Sequence, residues 1–108
     1  MTLLFIDLAA LLDQSKVGAE AAKALEQQWA AGQEKPDDQK RALWEKLQAQ
    51  RDSLRKRLLE RARPHVEKLA KAKKAVAVLE KSVVVWGAGE DITAQVIAQV
   101  DAQGPLEA

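Results

Sequence analysis

The chain has 108 residues, of which 47% are apolar and 31% charged. That mixture fits a folded, helix-rich protein and excludes a disordered, low-complexity one. Cysteine is absent, which excludes a disulfide framework and thiolate chemistry, and no apolar run approaches the ~20 residues needed to span a bilayer.

The net charge of +1 hides a segregation: −3 over residues 1–34, +8 over 35–81 and −4 over 82–108. A basic middle between acidic ends offers an attractive surface to anionic partners. The opening "MTLLFIDLAALLDQ" has no basic n-region and reaches Asp7 early, so it does not read as a signal peptide. The expected compartments are therefore the cytoplasm, or the periplasm with a leader removed.

In chain order, "LLFI" (Leu3 to Ile6) reads as a strand buried on both faces or as the first turn of a helix. Leu8, Leu11 and Leu12 follow at helical spacing, and Ser15 and Gly18 allow a local break. From Ala19 to Ala31 a helix carries Ala22, Leu25 and Trp29 on one stripe. Gly32 closes it, and "GQEKPDD" is a turn punctuated by Pro36.

Asp37 or Asp38 starts a second helix, with acidic side chains well placed at its positive N-terminus. Leu43, Leu47, Leu54 and Leu58 recur at coiled-coil spacing. Two helices joined by a short turn make an antiparallel hairpin. Pro64 is expected to kink or interrupt the second helix, because proline lacks the N–H and clashes with the preceding turn. The helical pattern resumes to about Lys74.

"VAVL" (Val76 to Leu79) and "VVVW" (Val83 to Trp86) then read as two strands joined by a hairpin-length loop, "EKS". Gly87 and Gly89 end the second strand. Asp91 is a candidate N-cap, and Ile92, Val96, Ile97 and Val100 form one face of a last helix, stopped by Gly104-Pro105. The expected fold class is α+β and mostly helical: one domain over 1–108, with a strand at 3–6, an arm hairpin over about 8–74 with its turn at 32–37, strands at 76–79 and 83–86, and a helix at 91–102. All three strands lack polar alternation, so both faces of the sheet must be covered. One helix covers one side. The other side and the open edges call for a second copy.

The residues also carry a family resemblance. "LLFIDLAALLDQSKVGAEAAKALEQQW", "PHVEKLAKAKKAVAVLEKSVVVW" and "EDITAQVIAQV" resemble, in order and spacing, the two ends of the Skp/OmpH-like family of periplasmic chaperones. The resemblance covers about two thirds of the chain. It implies a jellyfish-like homotrimer, in which strands of three subunits form a β-body and three helical hairpins hang around a cavity. It also implies an ATP-independent holdase for unfolded outer-membrane or periplasmic proteins. One departure stands out: Asp37 to Ala62 gives an arm helix of only roughly 38 Å at 1.5 Å per residue.

Candidate residues follow from both readings. The oligomer core is expected at Leu4, Phe5, Ile6, Val76, Val78, Val83, Val85 and Trp86. Client contacts are expected at Trp29, Leu43, Trp44 and Leu47, and at the basic cluster Arg51, Arg55, Lys56, Arg57, Arg61 and Arg63. The two tryptophans come together near the hairpin tip, where they either lock the tip or face a client. The basic cluster suits acidic clients or an anionic lipid surface. Nucleic acid is not expected, since no aromatic or amide reading surface accompanies the charge.

Enzyme chemistry is not expected either. His65 is the only histidine, so metal ligation and a Ser-His-Asp triad lack their parts. Gly87-Ala88-Gly89 lacks the lysine and further glycine of phosphate loops. No cofactor, metal or small-molecule substrate is expected. The alternative function is a coiled-coil adaptor that docks one specific partner.

Overall fold

A computed structural model describes residues 2–106; Met1, Glu107 and Ala108 lie outside the described residues. Strand β1 (Thr2–Ile6) leads through Asp7 into α1 (Leu8–Gln14) and α2 (Lys16–Ala31). A turn at Pro36 leads into the long α3 (Asp37–Ala72). The chain then forms β2 (Ala75–Glu80), a short β3 (Glu90–Asp91) and α4 (Thr93–Ala102). The architecture is helical arms on a small sheet, 69% helical in all.

The sheet is parallel, in the order β2-β1-β3. β1 sits in the middle, which explains its uninterrupted apolar run: a central parallel strand is covered on both faces. Leu4, Phe5 and Ile6 are buried within this one chain. Leu4 and Ile6 join a core with Leu11, Val17, Leu58, Ala62, Ile92, Val96 and Val100. Phe5 lies against Gly89, where an added Cβ would stand 2.7 Å from the ring. The cover that the sequence assigned to a second copy is, for these three residues, supplied by the chain's own helices and the Gly89 backbone.

The expected strand at Val83–Trp86 is not formed. Lys81–Val83 makes a turn of 3-10 helix, and the chain is irregular from there to Gly89. The physical reason is local. The outer edge of β2 stays free, but the chain after Glu80 is drawn to the far side of β1, where β3 pairs. Glu80 instead turns back to accept from Ser82 N at 3.2 Å, and Lys81 reaches Asp91 at 3.0 Å. The third strand is Glu90–Asp91, held by β1.

The expected break at Pro64 is also absent: α3 runs through it for 36 residues, about 54 Å at 1.5 Å per residue. Pro64 is solvent-exposed, so the carbonyl it leaves unpaired can be met by water. Its neighbours Ala62 and Val66 pack into the core and hold the helix on line. The free-standing arm is still short, because α2 spans only 16 residues, about 24 Å. The far half of α3 packs instead on β2 and α4.

Side-chain caps fix how the helices leave the sheet. Asp7 Oδ1 accepts from Ala10 N at 3.0 Å and opens α1. Ser15, fully buried, accepts from Gly18 N at 2.9 Å and opens α2. Gly18 is required there, since a Cβ would meet the Leu12 carbonyl oxygen at 2.0 Å. Lys74 takes a φ of 52° just past α3, the left-handed residue that closes a helix C-terminus.

Candidate functional site

An apolar trough runs along the arm between α2 and α3. Near the tip, Trp29, Trp44, Leu47 and Leu25 line an open space of about 530 Å³, together with Arg51. The tryptophans therefore share one surface. Trp29 is half-buried and Trp44 is 52% exposed, whereas Leu47 is buried and forms the floor. Leu43 packs at the very tip against Gly32, where a Cβ would meet its Cδ2. Leu43 thus closes the turn, and Trp44 presents indole to solvent. An exposed aromatic face beside an apolar floor offers contact area at low ordering cost.

Toward the sheet the trough continues past Leu25, Leu54 and Leu58. Arg51 and Arg55 stand on this part of its rim, with Arg57 on the opposite flank beside Gln50 and Ser53. The basic cluster is therefore not one patch. Lys56, Arg55 and Arg63 border a separate open surface with Asp52 and Glu60. Arg63 pairs with Glu67 at 3.2 Å, an exposed pair worth little. Arg61 donates to the Gly104 carbonyl and is tied to the C-terminal segment. Arg51, Arg55 and Arg57 are the cationic groups brought onto the trough that carries the tryptophans and their apolar continuation.

A second surface lies at the sheet. The outer edge of β2 is unpaired, and Val76 and Leu79 are exposed beside it. Val83 follows, and then Val85 at 100% and Trp86 at 94% exposure. Val78 is half-buried and packs inward. Five large apolar side chains in eleven residues are exposed on β2 and on the segment after it, and the outer edge of β2 leaves backbone donors and acceptors open.

The loop between β3 and α4 is electrostatically fixed. Thr93 Oγ1 donates to Asp91 Oδ1 at 2.5 Å and accepts from Asp7 N at 2.8 Å. Hydrogen bonds from the Thr93 hydroxyl and amide, and then from Lys81, hold the Asp91 carboxyl down to about 2. The same pairing raises Lys81. This cluster ties the irregular 81–91 segment to the start of α4. His65 meets the Gln103 side chain at 2.7 Å. Among the described residues no three or more His, Asp or Glu side chains gather as a metal site.

Sequence reasoning missed Leu106. Its side chain lies over the trough between Leu25 and Leu54 and packs on the core. The available signal was an apolar residue directly after the helix-stopping Gly104-Pro105, a place where a hydrophobic contact often accompanies the stop.

A small parallel sheet that carries a helical hairpin, with an apolar trough along the hairpin and an open apolar edge on the sheet, defines a binding protein built on a helical arm. Over residues 7–100 the chain matches the family described as outer membrane protein (OmpH-like), and it belongs to that family. No curated protein matches it. The OmpH-like family consists of periplasmic chaperones that bind unfolded clients and are not enzymes, which gives this chain a chaperone-type role.

Proposed function

We propose that the protein is an ATP-independent holdase, which binds unfolded outer-membrane or periplasmic polypeptides on the arms of a periplasmic homotrimer. The observation that carries this reading is the trough: an apolar floor of Leu25, Leu47 and Leu54, an exposed indole at Trp44, and arginines on the rim. Such a surface gives many weak contacts and no reaction centre. Trp29, Leu43, Trp44 and Leu47 supply apolar contact, with Leu43 acting through the tip geometry. Arg51 and Arg55 add attraction for acidic segments; Lys56, Arg57, Arg61 and Arg63 add to the basic field that steers approach to the arm or to an anionic lipid surface.

Trimer formation is assigned to the open edge of β2, with Val76 and Leu79, and to the exposed Val83, Val85 and Trp86 that follow it. Leu4, Phe5, Ile6 and Val78 act behind that edge as the support that holds β1 and β2 flat. Covering the edge with neighbouring copies removes both the unpaired backbone and the exposed apolar side chains.

The test is light scattering by an unfolded outer-membrane protein diluted from denaturant. A stoichiometric amount of this chain should suppress aggregation without nucleotide, and no suppression at that ratio sinks the reading. The adaptor reading is favoured by one observation, the short α2 of about 24 Å. Affinity capture separates the two: unrelated unfolded proteins support the holdase, and a single folded partner supports the adaptor.

A further inference from the structure

After α4 the described residues, Gln103 to Leu106, stay on the molecule. Gln103 closes the helix, and Gly104 takes a φ of 82°, which turns the backbone toward the arm. Residues 104–106 then run without helical or strand structure and bring Leu106 to the groove between α2 and α3. Two contacts clamp this strap. Arg61 Nη1 donates to the Gly104 carbonyl, and His65 meets the Gln103 amide at 2.7 Å. Leu106 then packs against the core and lines the groove together with Ala21, Leu25 and Leu54.

Three features mark this as a seat for polypeptide in general. The occupant is an irregular segment anchored by one apolar side chain. The clamp reads a main-chain carbonyl, which every residue offers. The seat is also larger than what fills it: about 60 Å³ stays open on one side of Leu106 and about 260 Å³ on the other. The rim there carries Arg51, Arg55 and Arg57 against one acidic residue, Asp13, a net positive rim that complements acidic residues flanking an apolar one.

We propose that the sheet-proximal trough between α2 and α3 is a binding site for extended peptide segments that place an apolar side chain next to acidic residues, and that Gly104–Leu106 is its resident occupant, displaced when a client segment binds. The proposal rests on the holdase reading and names where on the arm a client segment is held. The strap is tethered, so its effective concentration is on the order of millimolar. A free segment at micromolar concentration competes poorly with it, and a long client that also contacts Trp29 and Trp44 competes well. The strap thus screens the seat from short peptides and from the same seat on other copies.

The test uses the full chain, a chain ending at Gln103, and the full chain with Leu106→Ala. The probe is a dye-labelled peptide of two tandem copies of Gln-Gly-Pro-Leu-Glu-Ala, followed by fluorescence anisotropy. A control peptide carries serine in place of both leucines. Both variants should bind the leucine peptide at least about tenfold more tightly than the full chain, since seating one leucine is worth about that much or more. The serine peptide should bind none of them. Equal affinity across the three proteins, or equal binding of the serine peptide, overturns the proposal. If the truncated chain loses its helical circular dichroism, Leu106→Ala decides alone, because it removes one side chain and leaves the clamps in place. Aggregation assays on the same samples keep the two readings apart. Suppression by the full chain with no change in peptide affinity sinks the strap and leaves the holdase; a strap effect without suppression does the reverse.

Discussion

Asp101, on the last turn of α4, caps the N-terminus of α2 by accepting from Val17 N at 3.0 Å. Its other oxygen accepts from Lys16 N, also at 3.0 Å. The contact spans more than eighty residues of sequence, and it fixes the angle at which the arm leaves the body. A carboxylate at a helix N-terminus satisfies orphan amides and meets the positive end of the helix dipole. Asp101→Ala should cost about 1–2 kcal/mol in chemical denaturation, the usual range for a lost cap. Asp101→Asn keeps an acceptor and should cost less. Equal stability of Asp101→Ala and wild type would remove Asp101 as the link between arm and body.

Pro64 lies inside an unbroken α3 and on its solvent side. Proline in a helix interior costs about 3 kcal/mol relative to alanine. Part of that is offset, because proline also restricts the unfolded chain by about 0.4–1 kcal/mol. Pro64→Ala should therefore stabilise the protein by about 2–2.6 kcal/mol, read as a higher denaturation midpoint at unchanged slope. A lower midpoint would mean that the proline geometry is needed to hold Ala62 and Val66 on the core.

The Asp91 cluster sets an acid limit. Its carboxyl is held down to about 2 in the folded protein by Thr93 and Lys81, against 3.8 for the free group. A depressed carboxylate contributes stability above the unfolded value, and the contribution is lost as pH falls through the folded one. Asp91→Asn should melt below wild type at neutral pH, and the gap should close between about pH 4 and pH 2. A gap that stays constant over that window would assign the effect of Asp91 to hydrogen bonding without charge.

Most of this fold could be read from local pattern. The Leu43, Leu47, Leu54 and Leu58 spacing specifies the arm, and Ile92, Val96 and Val100 specify α4, because each is a one-sided stripe that must find a core. β1 reads as a buried strand for the same reason. The misreadings share one cause: they depend on what lies beside a segment in space. Val83–Trp86 has strong β propensity, but the Glu80–Ser82 and Lys81–Asp91 contacts turn the chain away from the free edge of β2 and toward β3 on the other side of β1. Pro64 is a breaker in isolation, and packing of its neighbours overrides it. In the candidate site, the tryptophans and Arg51 and Arg55 were legible from helix periodicity. Leu106 was not, because no period links a residue after the last helix to a groove between the first two long ones.

Val85 and Trp86 give the direct test of self-association. Both stand almost wholly in solvent in the single chain, on the irregular segment that connects β2 to β3. Burying one such side chain between copies is worth about 1.5–3 kcal/mol. Each copy contributes the pair, so Val85→Asp or Trp86→Ala should weaken assembly by at least about tenfold in the dissociation constant. Helix content should not change, because neither side chain belongs to the core of one chain. Sedimentation equilibrium reads the result, with wild type at three times the chain mass at micromolar concentration and the variants shifted toward one. A wild-type monomer at that concentration, or variants that assemble as wild type does, would end the assignment of this segment to the trimer contact and leave it open as a client surface in its own right.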